Sequence, residues 1–504
     1  LITDPDGATL RRAYDAQDQL VKIINAVGAQ WQRTYDLAGN QVAETDPLGL
    51  LEQHDYVGGL LHRLVSTAGQ VTDFVYDLTG NLLEVQRGAN RRQRWLYDQW
   101  GRVRKFTDER GNVQWREYDL LNRVTVIHEP DGNVRSFIYD GLNNVIRSTD
   151  RQHDVQYAYR GLSRLIRRVE AGTATEFLHD TEEQLRAIVN EHGLTYRFEL
   201  DRQGAVTKET GFDGLIRHYK LDAGGRVLTV TLPTGQQTRY AYDKANRLTQ
   251  VVYADGNIEN FTYRLDGMLL AATNNTLAVT FERDIVGNVL REIQGAHTVI
   301  SVYNAQGQRD ALTSSLGASV RYTRDQAGRV AQVQAGKWQA LIERDAQGLE
   351  LQRTLSGGVR TQWRHNALGL PVEQRISAGW SRPERMRTYH WQEADRLTQI
   401  QDNQSGLTRF THDAVGNLAV TVFSDGTMQL RQPDLVGNLF ATPDRQDRRY
   451  GPAGQLLEAL GTRYTYDATG NLIGKITPQG QEWRYSWQAG GHLAEVVRPD
   501  GKIV

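Results

Sequence analysis

Apolar and polar residues alternate along this chain in short runs, and a polar break interrupts them at a nearly constant interval. Aromatic residues stand two apart at Trp95 and Tyr97, Phe137 and Tyr139, Tyr157 and Tyr159, Tyr240 and Tyr242, Phe261 and Tyr263, and Tyr464 and Tyr466. A spacing of two puts both rings on one face of an extended strand. Directly after the second aromatic comes a polar stretch that ends in Gly or Asn, and an aliphatic run follows it. The pattern therefore predicts a strand, a tight turn and a second strand, repeated from one end of the chain to the other.

The period becomes exact enough to count once the second aromatic position is taken as a marker, called here the slot. It falls at 24 places from Tyr14 to Trp487, and 20 of the 23 intervals are 20 or 21 residues. Thirteen slots hold Tyr; Asp follows in 16 copies, and the fourth residue after the slot is Gly in 16 and Asn in three. The motif is fullest at Tyr35, Asp36 and Gly39; Tyr76, Asp77 and Gly80; Tyr97, Asp98 and Gly101; Tyr242, Asp243 and Asn246; and Tyr466, Asp467 and Gly470. Each position has a physical reading. Gly and Asn are the residues that tolerate positive φ, and an Asp before them can bond the following backbone and start a turn. The slot motif is thus expected to form a type I turn closed by a left-handed residue, joining two antiparallel strands.

A second turn lies near mid-repeat, as in Pro130-Asp131-Gly132, Ala254-Asp255-Gly256, Ser424-Asp425-Gly426 and Pro499-Asp500-Gly501. Asp-Gly between two strand-like runs is a hairpin signal of its own. Each repeat is then two short antiparallel strands, and the whole chain is a meander. About 48 strands at about 4.8 Å each give a ribbon on the order of 230 Å wide, far beyond the ten or so strands of an open twisted sheet. Such a ribbon must curl. Closed in a single turn it would be on the order of 70 Å across, too wide for side chains to fill, so a wall round a cavity is the expected object. A propeller would need about 12 blades where about four to eight is usual, and a parallel β-helix conflicts with the antiparallel turns.

Composition fits a thin wall. Only 39% of the 504 residues are hydrophobic, while Gly numbers 48 and Tyr 22. A net charge of −1 gives no reason to expect nucleic acid or an anionic membrane as partner. The chain has no Cys, which rules out a disulfide framework, a thiolate zinc site and a thiol nucleophile. No apolar run is long enough to span a bilayer as a helix, and there is no signal-peptide pattern. The period runs through residues 1–504, so one repeat body is expected, more irregular over 366–466. The 26-residue interval from His365 to Trp391 contains Ser377–Arg385, where a loop or bulge is expected. The short intervals from Pro433 to Tyr450 and from Tyr450 to Tyr466 predict a bend or a shortened strand. A start at Leu1 rather than Met, and an end at Val504 within a repeat, suggest a piece of something longer.

Catalytic groups are present but not assembled. The Asp after each slot recurs because the turn needs it, and His179, His365 and His412 occupy slots as repeat substitutions rather than as ligands. The spacings of zinc proteases, serine hydrolases, phosphate loops and EF-hands do not occur, so no catalytic, cofactor or metal residue is assigned. Trp95, Trp115, Trp363, Trp391, Trp483 and Trp487 could stack sugars, but Trp95, Trp363, Trp391 and Trp487 stand in the aromatic pair, where packing accounts for them.

The repeated Tyr-Asp-x-x-Gly-Asn/Arg signature, with its aliphatic run and mid-repeat Asp-Gly turn, resembles the tyrosine-aspartate (YD) repeat of Rhs proteins over essentially the whole chain. The resemblance implies an all-β fold of antiparallel hairpin repeats of about 21 residues, wound into a hollow spiral shell of which this is a part. It also implies a guest, a C-terminal toxin domain held inside. Relatives include polymorphic toxins of interbacterial competition, many delivered by type VI secretion, the cocoon of insecticidal Tc toxins, and teneurins on animal cell surfaces. The partners implied are the rest of the Rhs core with its toxin, and a spike protein of the VgrG or PAAR type with a chaperone. Synthesis in the bacterial cytoplasm and export as an effector follow from the same likeness. Asp46-Pro47-Leu48-Gly49-Leu50 resembles the family's Asp-Pro-x-Gly self-cleavage motif, yet it lies in the register of an ordinary second turn. The leading expectation is a non-enzymatic encapsulating shell; the alternatives are a cell-surface adhesion or carbohydrate-binding scaffold and a Tc-type cocoon component.

Overall fold

The computed structural model describes residues 1–504 except Ala89 and 380–382. The described residues form fifty β-strands and no helix, beginning with Ile2–Thr3 and ending with Leu493–Val497. Most strands are five to seven residues long, as in Arg91–Tyr97, Val103–Thr107 and Val113–Tyr118. Each pairs antiparallel with its neighbour in sequence, for example Trp95 opposite Phe106 and Phe106 opposite Gln114. Burial alternates along the strands: Trp95 and Tyr97 are half-buried while Leu96 between them is exposed.

The pairing slips by one residue just before the slot, at Leu96/Tyr97, Glu117/Tyr118 and Thr465/Tyr466 and in the same place in the other repeats that share this geometry. Two residues of one strand then face one of its partner, a bulge that bends and twists the strand. Because the bulge recurs with the period, the ribbon curves in the same sense at every repeat instead of lying flat.

Little of the chain is deeply buried. The buried apolar side chains are few and mostly small, among them Ala29, Val85, Val155, Ala187 and Ala340. The exposed surface is 30130 Å², against roughly 19,000 Å² for a compact protein of this mass. Side chains are covered mainly by neighbours on their own sheet, which explains how a chain of low hydrophobic content keeps its strands.

The described residues fall into two compact units. One comprises Leu1–Asn133, Tyr242–Arg247 and Asn260–Gly406; the other comprises Val134–Ala241, Leu248–Glu259 and Leu407–Val504. In each, stretches of chain far apart in sequence lie side by side.

The irregular stretches take two forms. In the long interval, Pro371–Ala378 and Arg385–Gln392 are eight-residue strands, longer than the repeat norm. Ser377 and Ala378 finish one, and Arg385 opens the next; the centre of the loop expected there, 380–382, lies outside the described residues. Over the short intervals the strands shrink to Met428–Leu430, Gln432–Pro433 and Leu439–Phe440, before a six-stranded sheet runs from Arg448 to Val497. Asp447 holds this bend, accepting from Ala441 N through both carboxylate oxygens and from the Thr442 hydroxyl.

Candidate functional site

The recurrent site of this molecule is the slot turn. At Tyr76-Asp77, the Asp77 amide donates to Asn81 O at 2.9 Å and Gly80 N donates to Asp77 O at 3.1 Å. Asp77 Oδ1 accepts from Thr79 N and Asn81 N, both at 2.9 Å, and Oδ2 accepts from the Asn81 side-chain amide at 2.9 Å. One carboxylate thus joins the start, middle and end of the turn. Its pKa is held down to about 2 by the Asn81 side-chain bond first, then the Thr79 hydroxyl and the Asn81 backbone amide. Asp36 repeats the arrangement with Ala38 N, Asn40 N and the Asn40 side chain, and Asp467 with Thr469 and Asn471.

Arg replaces Asn at the end of many turns. Arg102 Nε donates to Asp98 Oδ2 at 2.7 Å, and Arg247 Nε to Asp243 Oδ2 at 2.7 Å. The longer side chain also reaches the next repeat: the Arg102 guanidinium sits 4.7 Å from the Tyr118 ring centroid, and that of Arg247 lies 5.2 Å from Tyr263. Sequence reasoning missed this second task. The signal was the Asn/Arg alternation after the Gly position.

Positive φ recurs at the fourth residue after the slot, with or without Gly there; the turn after Tyr56 is the exception, where Gly58 and Gly59 carry it. Gly39, Gly80, Gly101 and Gly470 have φ of 87, 87, 75 and 91°. Asn246 has 65°, and so has Ser163; Asp18 has 62° and Glu183 has 59°. The hairpin decides the conformation, and the non-Gly residues adopt it at a cost.

The slot side chain has a second role that its ring chemistry did not reveal. The Tyr97 hydroxyl donates to Leu82 O at 2.8 Å, one repeat earlier. Tyr35 does the same to Leu20 O, Tyr118 to Val103 O and Tyr466 to Leu456 O. The ladder explains why these carbonyls are available. Pairing between Leu82–Arg87 and Arg91–Tyr97 stops at Glu84 opposite Arg94, leaving Leu82 O without a strand partner on that side. Trp487 Nε1 reaches Leu472 O at 2.7 Å, Trp391 Nε1 reaches Pro371 O at 2.7 Å, and Arg283 Nε reaches Leu269 O at 3.0 Å. Tyr, Trp and Arg share the slot because each carries an N–H or O–H donor at the end of a long flat side chain. His is too short, and the Nδ1 atoms of His179 and His365 are buried without a hydrogen-bond partner. Tyr242 is half-buried at the end of Gln237–Tyr242, and Tyr76 occupies the matching place in Val71–Tyr76.

The mid-repeat turns build a third element. In one unit, Arg110 Nη2 donates to Asp345 Oδ2 at 3.2 Å, the Gln347 amide to Glu109 O at 3.3 Å, and the Asn112 amide to Ala367 O at 3.0 Å. Arg247 Nη2 also meets Asp6 Oδ2 at 2.8 Å, and Ala394 N donates to Asp131 Oδ2. In the other unit, Ala489 N donates to Asp255 Oδ2 at 3.0 Å and the Gln455 amide to Asp213 Oδ2 at 3.2 Å. Partners are 234 to 263 residues apart in every case. All follow one rule, in which a mid-repeat turn meets a slot turn eleven or twelve repeats later. Leu48 and Ala305 obey it too, lining with Asp284, Asn288 and Tyr303 a cavity of about 440 Å³. These seams were invisible in the sequence.

Other candidate groups have structural occupations. Asp46 Oδ1 accepts from Leu48 N and Leu50 N in an ordinary second turn. Trp95 packs on Phe106 at 5.3 Å, Trp363 on Tyr389 at 6.3 Å, and Lys105 lies over Trp115 at 4.9 Å. Asp402 is the most embedded carboxylate of its unit, bound by Arg385 and Arg387 and by the amides of Gln404 and Ser405. Burial raises its pKa, but those donors outweigh it and hold the group charged. Among the described residues no cluster of three His, Cys, Asp or Glu groups is placed to hold a metal ion, and no helix is long and apolar enough to cross a membrane.

Comparison with known proteins agrees with this geometry. Residues 222–258 and 466–503 match the RHS Repeat family, and residues 3–149 match the Teneurin YD-shell family. The chain is 26% identical over 514 residues to Double-stranded DNA deaminase toxin A of Burkholderia cenocepacia, covering 99% of this chain and 31% of that protein. It is 26% identical over 292 residues to Toxin protein Tse5 of Pseudomonas aeruginosa, covering 49% of this chain and 22% of the relative. A third similar protein, the Probable deoxyribonuclease RhsB of Dickeya dadantii, is 27% identical over 223 residues, 41% of this chain and 15% of its own. The chain thus spans less than a third of the length of these relatives. Its fold matches the TcdB2-TccC3 complex solved without its hypervariable C-terminal region, with a TM-score of 0.52 at 12% identity over 98% of this chain and 34% of the other. It also matches the Photorhabdus luminescens Tc holotoxin pore, with a TM-score of 0.56 at 12% identity over 98% and 32%.

Proposed function

We propose that this chain, built of the YD repeats that mark Rhs proteins and teneurin shells, is a non-enzymatic length of wall that sequesters a toxin domain belonging to the same protein. In this reading, residues 1–504 act as one body continuous with the rest of an Rhs core. The observation that carries it is the seam. Hairpin turns 234 to 263 residues apart bond one another edge to edge, so the ribbon gains wall area rather than core thickness. Edge closure also removes the free strand and turn edges that would invite aggregation. Two of the relatives are named toxins and the third a deoxyribonuclease, which supports a toxic guest. Its contacts with the wall would be aromatic and aliphatic; such contacts are non-directional, so one wall could serve different guests.

Delivery by type VI secretion in competition between bacteria is the fuller form of the proposal, supported by the likeness to Rhs proteins and to Tse5. It brings with it synthesis in the cytoplasm, export as an effector, and a spike of the VgrG or PAAR type with a chaperone. The test is protease protection in the natural full-length particle. A C-terminal domain that resists protease while the shell is intact, and is digested once the shell is opened by denaturant, is the expected result. A C-terminal domain cleaved at the same rate in the intact particle overturns the reading.

A further inference from the structure

A short residue in the slot opens a cavity. At other slots Tyr, Trp or Arg reaches a carbonyl of the repeat before it, as Trp391 reaches Pro371 O. His365 does not; its Nδ1 is buried without a partner, and a cavity of about 460 Å³ lies beside it. The remaining walls are Glu350, Arg353, Thr361, Trp363, Pro371 and Gln374. They stand on Glu350–Leu355, Val359–His365 and Pro371–Ala378, three neighbouring strands of one compact unit. His179, the other slot imidazole with a buried unpartnered Nδ1, also lines a cavity, of about 850 Å³.

Donors outnumber acceptors in the His365 cavity. Gln374 is only 8% exposed, and its Oε1 accepts from Arg387 Nη1 at 3.3 Å and from the Tyr389 hydroxyl at 3.2 Å. Arg can only donate, so the amide is fixed in this sense and its two Nε2–H groups have no partner among the described residues. The Trp363 indole N–H likewise lacks the acceptor that Trp391 and Trp487 have. Arg353 uses only Nη2, on Glu350 Oε2 at 2.7 Å. Burial holds the His365 pKa below the ordinary imidazole value, so the ring is neutral at neutral pH. Trp363 is set between His365 and Tyr389, with ring centroids at 6.5 and 6.3 Å.

We propose that this cavity binds a carboxylate carried on a flat apolar stem, the carboxylate accepting from Arg353 and the Gln374 amide while the stem lies against Trp363 and Pro371. Guanidinium and carboxylate make the stronger, charge-assisted kind of hydrogen bond, and an indole takes an apolar neighbour on its face. Buried N–H groups in native structures are nearly always paired, and such a ligand pairs those of Gln374. The same chemistry can come from a free carboxylic acid or from an acidic residue of the protein's own C-terminal domain. The second source rests on the enclosing role proposed above; the first does not.

His365→Tyr is the sharpest variant, because it restores the residue that this repeat places in the slot and refills the space. In the natural full-length protein, phenylbutyrate is titrated by calorimetry, with phenylbutyramide as a neutral control of the same shape. For a free acid, the expected result is saturable binding, weaker by about tenfold or more for the amide and in Arg353→Gln, and absent in His365→Tyr. A segment of the protein already seated there blocks that binding. A photo-crosslinking benzoylphenylalanine at Val359, two residues from Thr361 on the same strand face, then marks the segment for mass spectrometry. The expected result for that source is a crosslink to one peptide carrying Asp or Glu, lost in Arg353→Gln and in His365→Tyr. Absence of both binding and crosslink overturns the proposal. Binding matched by the amide, a signal that survives either substitution, or a crosslinked peptide without an acidic residue overturns it too. Protease digestion of the same particles separates the two readings: a C-terminal domain cleaved freely while phenylbutyrate still binds strikes the enclosing role and leaves the cavity site standing.

Discussion

The Tyr97 hydroxyl donates to the carbonyl of Leu82 at 2.8 Å, tying the end of one repeat to the first strand of the repeat before it. The bond completes a ladder that stops two residues short, and it recurs at many slots that carry a long donor, among them Tyr35, Tyr118, Tyr159, Tyr303 and Tyr466. Tyr97→Phe removes only the oxygen. It leaves a half-buried carbonyl without its partner, at a cost of about 1–2 kcal/mol. Tyr97→Trp should cost less, since Trp391 and Trp487 already make this bond. Urea unfolding of the three proteins checks the order; a Phe variant as stable as the Tyr parent would show that the bond contributes nothing.

Positive φ at the turn predicts two changes of opposite sign. Asp18 holds φ 62° on an exposed turn, so Asp18→Gly should stabilise the protein by about 0.5–1 kcal/mol. Gly470 holds φ 91°, and Gly470→Val should destabilise by about 1–3 kcal/mol, since a β-branched residue is least able to enter that region. Thermal melts of both variants beside the parent test the pair. Equal melting temperatures would remove the turn from the list of stabilising features.

The turn carboxylates predict a dependence on acid. The pKa of Asp77 is lowered to about 2 in the folded chain, and those of Asp36, Asp119, Asp222 and Asp243 are lowered too. A depressed folded pKa means that the stabilisation is complete above the unfolded value, about 3.9, and is lost as pH falls from there toward the folded value. The protein should therefore keep its melting temperature from pH 7 to about 5 and lose it steeply between about 4 and 2. Asp77→Asn should melt lower than the parent at pH 7, with the gap closing near pH 2. A gap that is constant across the range would mean the charge is irrelevant.

Seams should be separable from turns. Arg247 bonds its own turn through Asp243, bonds Asp6 across the seam, and stacks on Tyr263. Asp6→Ala removes the cross-seam partner together with the acceptor of Ala8 N and should cost about 1 kcal/mol, while Arg247→Ala loses these three contacts and its bond to Arg264 O and should cost about 2–3 kcal/mol. Hydrogen exchange locates the effect: Asp6→Ala should speed exchange at residues 4–8 and 243–247 and leave 97–102 unchanged. Acceleration spread along the whole chain would argue against a local seam.

Local chemistry was largely legible. The alternation of aromatic positions, the Asp that caps its own turn and the Gly that must turn left-handed are all set by residues within five of one another, so Tyr76-Asp77-Leu78-Thr79-Gly80-Asn81 folds as its spelling suggests. Arg283, Arg324 and Arg344 stand in the slot without an aromatic ring. In the structure they do the work of Tyr, since their guanidinium groups reach the carbonyls of Leu269, Arg309 and Val330. Residue type hid a conserved geometry because a donor at the right distance can be phenol, indole or guanidinium.

By itself, the sequence determined the strand, the turn, the repeat and the single-layer character, because each depends on contacts closed within about one period. It also carried the likeness to YD-repeat proteins. Which turn meets which was decided only in three dimensions. Arg110 finds Asp345, and Asp255 finds the amide of Ala489, because a small bend is added at every bulge, and only the sum of eleven or twelve bends brings one edge of the ribbon back to the other. A sum of that kind is set by backbone geometry accumulated over more than two hundred residues, and no short stretch of sequence spells it out.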